Sequence, residues 1–291
     1  MPTERTTEIE EAELQRVEIA GGLEFHHVEA GRGLPLVLVH GVLGDWRTWA
    51  PQWLAFTPYF RTISYSRRYN QPNRNTQPSP DHSALVEAQD LAALLQAWHA
   101  EPAILVGSSY GAFTALALTI ARPECVRALV LLEPPMLRWA DFSAEGRAER
   151  EVFDRDVRLP ARAAFERGDD ERGVLLLTGG IAGLEAAARI EPSALQRRLE
   201  NSLAIRMLTL SSDEFPLLSP QALSSVRVPT LLMAGAQTPP IHDTVFRNLC
   251  KAMTQAEVQR IPDAGHSAAR DNPTEFNRLT LDFLKRQGLA H

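Results

Sequence analysis

Residues 103–111 read AILVGSSYG and contain the transition that decides the fold. An apolar run of strand length, 103–106, ends in a turn of small and polar residues, and a helical pattern follows directly over 110–121. A continuous apolar run bounded by glycine indicates a strand that is buried on both faces, which is typical of parallel sheets. The stretch therefore predicts a buried strand, a tight turn and a helix.

The same alternation continues along most of the chain. Further buried strands are predicted at 36–40, 62–65, 128–132, 230–234 and 258–261, and further helices at 83–99, 243–253 and 274–287. Alternating strands and helices predict an α/β fold, in which right-handed crossovers place helices on both faces of a parallel sheet. At the front, 16–30 predicts two strands joined at a Gly-Gly turn, which would add an antiparallel hairpin.

Residues 137–225 interrupt this rhythm. The stretch is rich in Arg and Ala, has no convincing strand, and predicts helices at 144–158, 159–167, 183–190 and 192–210. We interpret it as a helical cap inserted into a core formed by 16–136 and 226–291, with 1–15 as an N-terminal extension. A chain of 291 residues has room for one large domain with such an insertion.

Composition excludes several classes of function. The formal charge is −6, which argues against nucleic acid or an anionic membrane as the main partner and favours a small-molecule substrate. Two cysteines form neither a disulfide framework nor a zinc motif, so no metal is predicted. No dinucleotide fingerprint follows a strand, and no cofactor is expected.

The same sequence predicts where the protein works. Residues 1–13 are acidic and lack the basic-then-apolar order of a secretory signal, and no apolar run is long enough to span a membrane, so a cytoplasmic location is expected. The oligomeric state stays open, and a homodimer is one possibility.

Ser109 is the candidate nucleophile. It is the centre of Gly107-Ser108-Ser109-Tyr110-Gly111, and the strand before and the helix after it are the context of a nucleophile elbow. The alternative is a serine that only caps the following helix. We expect the backbone N–H of Tyr110 and that of Val42, in the loop after the strand 36–40, to bind a developing oxyanion. His40, at the end of that strand, is expected to brace the loop.

His266 is the candidate general base. It lies in a loop between the strand 258–261 and the last helix, where a histidine can reach the elbow serine. The serine also precedes it in the chain, as the order of nucleophile, acid and base requires. A solvated loop histidine is the alternative.

Together, His40-Gly41, the Ser109 elbow and His266 resemble the α/β-hydrolase superfamily. The resemblance implies a mostly parallel eight-stranded sheet, a helical lid over 137–225, and a triad of serine, histidine and acid. The segments 65–69 (YSRRY) and 132–135 (LEPP) are similar to a bacterial branch whose substrate is unassigned.

The acid departs from the superfamily's commonest pattern. Most members carry Asp shortly after the strand that corresponds to 230–234, but residues 235–240 here read GAQTPP. A few relatives place the acid after the preceding strand, where this chain has Glu133. We therefore predict Glu133 as the acid that orients His266. Asp243, which is also expected to cap a helix, is the alternative.

These residues predict a cofactor-free serine hydrolase that cleaves an ester, thioester or lactone of a small to medium apolar substrate through an acyl-enzyme. Trp46, Met136 and Trp139 are expected in the pocket. Carbon–carbon bond hydrolysis, perhydrolysis and cofactor-free oxygenation on the same fold are alternatives. A non-catalytic ligand-binding sensor is another, favoured by the missing Asp. Arg67 and Arg68 are predicted to form surface ion pairs, and binding of an anionic substrate is the alternative.

Overall fold

The computed structural model describes residues 8–290, and for residues 185 and 186 only the backbone. Within this range eight strands form one sheet in the order β1-β2-β4-β3-β5-β6-β7-β8. The strands are β1 Gln15–Ile19, β2 Leu23–Ala30, β3 Pro35–Val39, β4 Arg61–Tyr65, β5 Ala103–Ser108, β6 Val126–Leu132, β7 Thr230–Gly235 and β8 Glu257–Ile261.

Only β2 runs against its neighbours. It pairs antiparallel with β1 and with β4, and every other pair in the sheet is parallel. Gly21 and Gly22, both at positive φ, form the turn of the β1–β2 hairpin, a conformation that glycine adopts without strain. The predicted α/β fold is confirmed, and the predicted strands from 36 onward agree with the observed ones to within two residues at either end.

Helices cover both faces of the sheet. Those that precede β6 or follow β7 are α1 Ala50–Phe56, α2 Ala84–Ala97, α3 Tyr110–Ala121, α11 Pro240–Ala252, α12 Ala268–Asp271 and α13 Pro273–Arg286. In β3, Val37 and Val39 pack into the cluster that includes α2 and α3, whereas Leu36 and Leu38 pack into the cluster that includes α1 and α13. Both faces of the strand are therefore buried, which explains why its sequence is apolar at every position.

Between β6 and β7 the chain is helical. The segment begins with a 3-10 helix at Leu137–Phe142, and a π-turn at Asp154–Arg158 joins its first two α-helices. The helices are α4 Ala144–Phe153, α5 Leu159–Glu166, α6 Asp170–Ala182, α7 Leu184–Ala188, α8 Pro192–Leu199, α9 Ser202–Thr209 and α10 Pro220–Ser224. The division into core and cap stays a prediction.

Several details of this segment differ from the predicted helices, among them a π-turn at 154–158, where the first helix was predicted to end, and the short α10, which was not predicted. Helix α6 was not foreseen, because Gly179 and Gly180 lower its helix propensity. The helix predicted over 192–210 is divided into α8 and α9 at Asn201. The Asn201 side chain is buried and donates to Asp45 Oδ2 at 2.9 Å, which fixes this corner to the loop after β3.

Within residues 8–290, no helix combines the length and the apolar character that crossing a bilayer requires.

Candidate active site

Ser109 lies at the sharp turn between β5 and α3. Its backbone has φ +51° and ψ −123°, a region that non-glycine residues avoid and that stores strain. A Cβ on Gly107 would lie 2.6 Å from Ala112 Cα, and one on Gly111 would lie 2.1 Å from the Val39 carbonyl oxygen. The flanking glycines are thus required because helix and strands approach so closely. The serine side chain makes no capping hydrogen bond to α3, contrary to the alternative of a simple helix cap.

His266 reaches this serine from the loop after β8. Its Nε2 lies 2.9 Å from Ser109 Oγ, and the imidazole is buried. With Nδ1 protonated toward its other neighbour, Nε2 is free to accept the serine hydrogen. The structure thus brings together the predicted nucleophile and base, from residues 157 positions apart.

Glu133 lies on the other side of the imidazole, directly after β6. Its Oε2 accepts from His266 Nδ1 at 2.6 Å, and the carboxylate is buried. The Gly235 N–H donates to Oε1 at 2.8 Å, and the Thr238 hydroxyl donates to Oε2 at 2.6 Å. These three hydrogen-bond donors stabilise the buried carboxylate, which would otherwise lose its contacts with water without compensation. Thr238, which belongs to the segment that lacks the usual Asp, contributes one of them, a role that the sequence did not suggest.

Asp243, the alternative acid, points elsewhere. Helix α11 begins at Pro240, so Asp243 lies inside its first turn and is not the expected cap, since proline favours the first helical position. Its carboxylate contacts Arg260 at 2.5 Å and Arg247 at 3.0 Å. It faces a surface depression of about 480 Å³ whose lining includes neither Ser109 nor His266.

The two expected oxyanion donors flank Ser109. Tyr110 is the first residue of α3, where the helix offers its N–H no acceptor. Val42 belongs to the loop after β3, and both residues line a cavity that contains Ser109. A Cβ on Gly41 would lie only 3.2 Å from Ser109 Cβ, so this loop packs directly on the elbow.

His40 braces that loop. Its Nδ1 donates to the Gly41 carbonyl at 2.8 Å, and its Nε2 accepts from the Arg67 N–H at 3.1 Å. Burial and the nearby Arg67 lower the pKa of His40 to about 3, so it stays neutral. The geometry agrees with the structural role that we expected.

Arg67 corrects a prediction, because it is not on the surface. The side chain is buried and its guanidinium meets Glu87 at 2.5 Å. Burial alone would raise the pKa of Glu87, but Arg67 and His82 outweigh it and bring the pKa to about 2. Arg68 is mostly buried as well and pairs with Asp90. The prediction of surface pairs was wrong because the partners on α2 could not be identified from sequence.

Two cavities meet at Ser109. The larger, which we call the open cleft, has a volume of about 390 Å³ and contains His266 as well. The smaller, which we call the inner cavity, has about 30 Å³ and is mainly apolar. The inner cavity is lined by Val42, Ser109, Tyr110, Pro135, Leu137, Phe153, Arg158, Leu177, Ile181, Leu208, Glu214, Phe215 and His242.

None of the three residues expected in the pocket lines either cavity. Trp46 packs in the core beneath the sheet edge, and Trp49 faces the open cleft instead. Met136 is buried, and Trp139 donates its indole N–H to the Leu218 carbonyl at 2.9 Å. In the stretch after β6, Pro135 and Leu137 line the inner cavity, whereas Met136, just before the 3-10 helix, and Trp139, within it, do not.

His242 and Glu214, two of the polar residues that line the inner cavity, escaped sequence reasoning. His242 stacks on His266 with ring centroids 4.1 Å apart, and neither of its ring nitrogens has a hydrogen-bond partner within the described chain. Burial and His266 lower the pKa of His242 well below its usual value. Glu214 has one carboxyl oxygen without a partner, and burial raises its pKa to about 8. No local pattern marks either residue, since each is brought to the cavity by distant packing.

Comparison with known proteins identifies the family. The model of the Alpha/beta hydrolase family matches residues 36–279, which include Ser109, Glu133 and His266. The chain belongs to the alpha/beta hydrolase family. Its homologues and structural neighbours include a lipase, a carboxylesterase and an enol-lactonase, in agreement with the resemblance seen in the sequence motifs.

Three similar proteins show the range of this hydrolase family. The sn-1-specific diacylglycerol lipase ABHD11 of Mus musculus is 25% identical over 90% of this chain and 85% of the relative. The putative non-heme bromoperoxidase BpoC of Mycobacterium tuberculosis is 26% identical over 87% of this chain and 95% of the relative. The solved structure of Est816, an N-acyl homoserine lactone degrading enzyme, superposes with a TM-score of 0.72 at 22% identity, covering 92% and 100% of the two chains. That structural likeness supports the fold alone.

Proposed function

We propose that the protein is a cofactor-free serine hydrolase that cleaves an ester-like bond through an acyl-enzyme. One observation carries the proposal. A hydrogen-bonded chain runs from Ser109 Oγ to His266 at 2.9 Å and from His266 to Glu133 at 2.6 Å, at a strained elbow turn that opens onto a cavity. This is the arrangement of nucleophile, base and orienting acid that activates a serine hydroxyl.

In the first half-reaction, a proton moves along these hydrogen bonds from Ser109 to His266. His266 Nε2 takes the proton of Ser109 as Oγ attacks the substrate carbonyl, and Glu133 stabilises the imidazolium that forms. The N–H groups of Val42 and Tyr110 would hold the tetrahedral oxyanion. Donors in this role each contribute about 3–4 kcal/mol to the stability of the transition state.

Collapse of that intermediate expels the leaving group, which takes the proton from His266. In the second half-reaction, the same imidazole removes a proton from water, the water attacks the acyl carbonyl, and Ser109 is released with its hydrogen. Every proton transfer is therefore served by a residue of this chain. Ester, thioester and lactone substrates all begin with the same attack.

The geometry also weighs against a non-catalytic sensor. The feature that favoured a sensor was the missing Asp, and Glu133 takes the position that this acid would occupy toward His266. Perhydrolysis, cofactor-free oxygenation and carbon–carbon bond cleavage are distinguished by their products and not by this triad.

Labelling with a fluorophosphonate probe tests the proposal. We expect one covalent adduct per chain at pH 7.5, mapped to Ser109 by mass spectrometry of peptides, and no adduct in Ser109→Ala. Ser108→Ala is the matched control, since it removes the neighbouring hydroxyl and should still label. A wild-type protein that does not react, or an adduct that persists in Ser109→Ala, would contradict the serine mechanism.

A further inference from the structure

The open cleft beside Ser109 is rich in positive charge. Its charged lining consists, besides His266, of four arginines and a single carboxylate, Asp45. The arginines are Arg47, Arg197, Arg198 and Arg270. A chain with a net charge of −6 has thus collected cations at the entrance to its candidate nucleophile, which focuses positive potential in a concave site.

Three of these arginines have carboxylate neighbours. Arg47 contacts Asp45 at 2.6 Å and Glu200 at 2.7 Å. Arg270 lies 3.3 Å from Asp271, and Arg197 lies 3.9 Å from Glu10. Protein carboxylates therefore already compensate much of the charge of these three side chains.

Arg198 differs from the other three. Within the described chain its guanidinium has one hydrogen-bond partner, the Thr178 hydroxyl, to which Nη1 donates at 2.7 Å, and no ion pair. Burial and the neighbouring Arg270 lower the pKa of Arg198 to about 10, so the side chain still carries its charge at neutral pH. A partly buried cation without an anion is costly, and a bound anion would remove that cost.

The position of Arg198 is fixed by the fold. It lies on α8, one turn before the buried Asn201, which is hydrogen-bonded to Asp45 and to the Gln71 N–H. Thr178, on α6, holds Nη1 and leaves the edge formed by Nε and Nη2 without a partner. Two parallel N–H groups on one edge of a guanidinium match the two oxygens of a carboxylate.

We propose that Arg198 binds a carboxylate of the substrate in the open cleft, while the scissile carbonyl lies at Ser109. The proposal deepens, and rests on, the proposed serine hydrolase. It assigns the substrate class as esters or lactones with a carboxylate on the part that occupies the cleft. The inner cavity, at about 30 Å³, leaves room for only a short acyl group. The substrate would then carry a charge, which differs from the small to medium apolar substrate that the sequence motifs and the helical insertion had led us to expect.

The test compares 4-acetoxybenzoate with 4-acetoxybenzamide, two acetyl esters that differ in charge and little in size. Each kcat/KM is divided by the rate constant for hydroxide-catalysed hydrolysis of the same ester, which removes the difference between the leaving groups. We expect wild type to prefer the carboxylate at least about tenfold, the effect of one charge-assisted hydrogen bond. In Arg198→Gln the preference should fall to about one, mainly through a higher KM for the carboxylate.

Arg172→Gln is the matched control, because Arg172 is an exposed arginine of α6 that lines neither cavity. It should keep the wild-type preference. The readout is a ratio, so a general loss of folded enzyme in any variant affects both esters alike. A wild-type ratio of one or less, or a ratio that Arg198→Gln leaves unchanged, would overturn the carboxylate site.

Binding to Ser109→Ala separates this proposal from the hydrolase mechanism. Calorimetry should show tighter binding of 4-acetoxybenzoate than of the amide, and the difference should vanish in Ser109→Ala/Arg198→Gln. If wild type cleaves neither ester but this difference is present, the proposed function fails for acetyl esters and the carboxylate site stands. If both esters are cleaved and both bind equally, only the carboxylate site fails.

Discussion

The two sides of the candidate active site differ in how their polar groups are paired. One side is formed by the turns that follow β5, β6 and β8, and the other by the helical segment between β6 and β7. At the sheet edge Ser109, His266 and Glu133 are buried and joined by hydrogen bonds, and Gly235 and Thr238 complete the carboxylate shell. On the other side of the cavities, one carboxyl oxygen of Glu214 has no hydrogen-bond partner, and the Arg198 guanidinium is hydrogen-bonded, within the described chain, only to the Thr178 hydroxyl. Since unpaired buried polar groups cost free energy, we infer that the first region is organised in advance and that the second is completed by the substrate.

His242 belongs to the second group although it stacks on His266. Its ring nitrogens have no hydrogen-bond partner within the described chain, and the residue lines a cavity that also contains the candidate nucleophile. Together with Glu214, which keeps its proton at neutral pH because burial raises its pKa to about 8, and with Arg158, it supplies polar atoms to the mainly apolar inner cavity. A short acyl group with a hydrogen-bonding atom would suit that cavity.

Replacing Glu133 should cause the largest loss of activity. Glu133→Gln removes the charge that stabilises the imidazolium and the partner that fixes the histidine tautomer, so we expect kcat to fall about 10⁴-fold. Asp243→Asn is the control, since Asp243 contacts Arg247 and Arg260 instead. Steady-state rates on 4-acetoxybenzamide would measure both. Near wild-type activity in Glu133→Gln, with loss in Asp243→Asn, would show that the acid is misassigned.

The pH dependence of the free energy of unfolding tests whether Glu214 is protonated in the folded protein. The raised pKa means that the folded state keeps a proton that the unfolded chain, with an ordinary carboxyl pKa of about 4.3, loses. Stability contributed by this group is therefore full below about pH 4.3 and declines as pH rises toward 8. Glu214→Gln does not titrate, so its stability relative to wild type should rise between pH 5 and pH 8 by roughly 3–4 kcal/mol.

Urea unfolding at the two pH values measures that change. Glu171→Gln, at an exposed carboxylate of α6, is the control and should show the same difference from wild type at both. A Glu214→Gln variant whose advantage does not grow with pH would mean that this carboxyl is ionised in the folded protein.

Replacing Thr238 should reduce kcat by a smaller factor. Thr238→Val keeps the shape of the side chain and removes the hydroxyl that donates to Glu133 Oε2, so the carboxylate loses one of the three donors that fix its orientation toward His266. We expect a loss of about tenfold in kcat with little change in KM, the size of one hydrogen bond to a charged group. Thr238→Ser should restore the rate. A change in KM alone would assign Thr238 to substrate binding instead.

The parts of the site that sequence predicted are those encoded locally or by chain order. The elbow is a five-residue pattern with a strand before it and a helix after it. Glu133 followed from its place behind β6 and from the missing Asp after β7. The pocket residues failed because the side of a 3-10 helix that faces a cavity depends on packing. Likewise, Arg67 finds Glu87 across twenty residues of chain, and nothing local shows that this pair is buried.

Proton NMR of the protein at low temperature distinguishes Glu133 from Asp243 as the acid partner of His266. A short, charge-assisted hydrogen bond moves the imidazole Nδ1 proton far downfield. We predict such a resonance in wild type and in Asp243→Asn, and its absence in both Glu133→Gln and His266→Ala. A downfield proton that survives Glu133→Gln and disappears in Asp243→Asn would contradict the assignment.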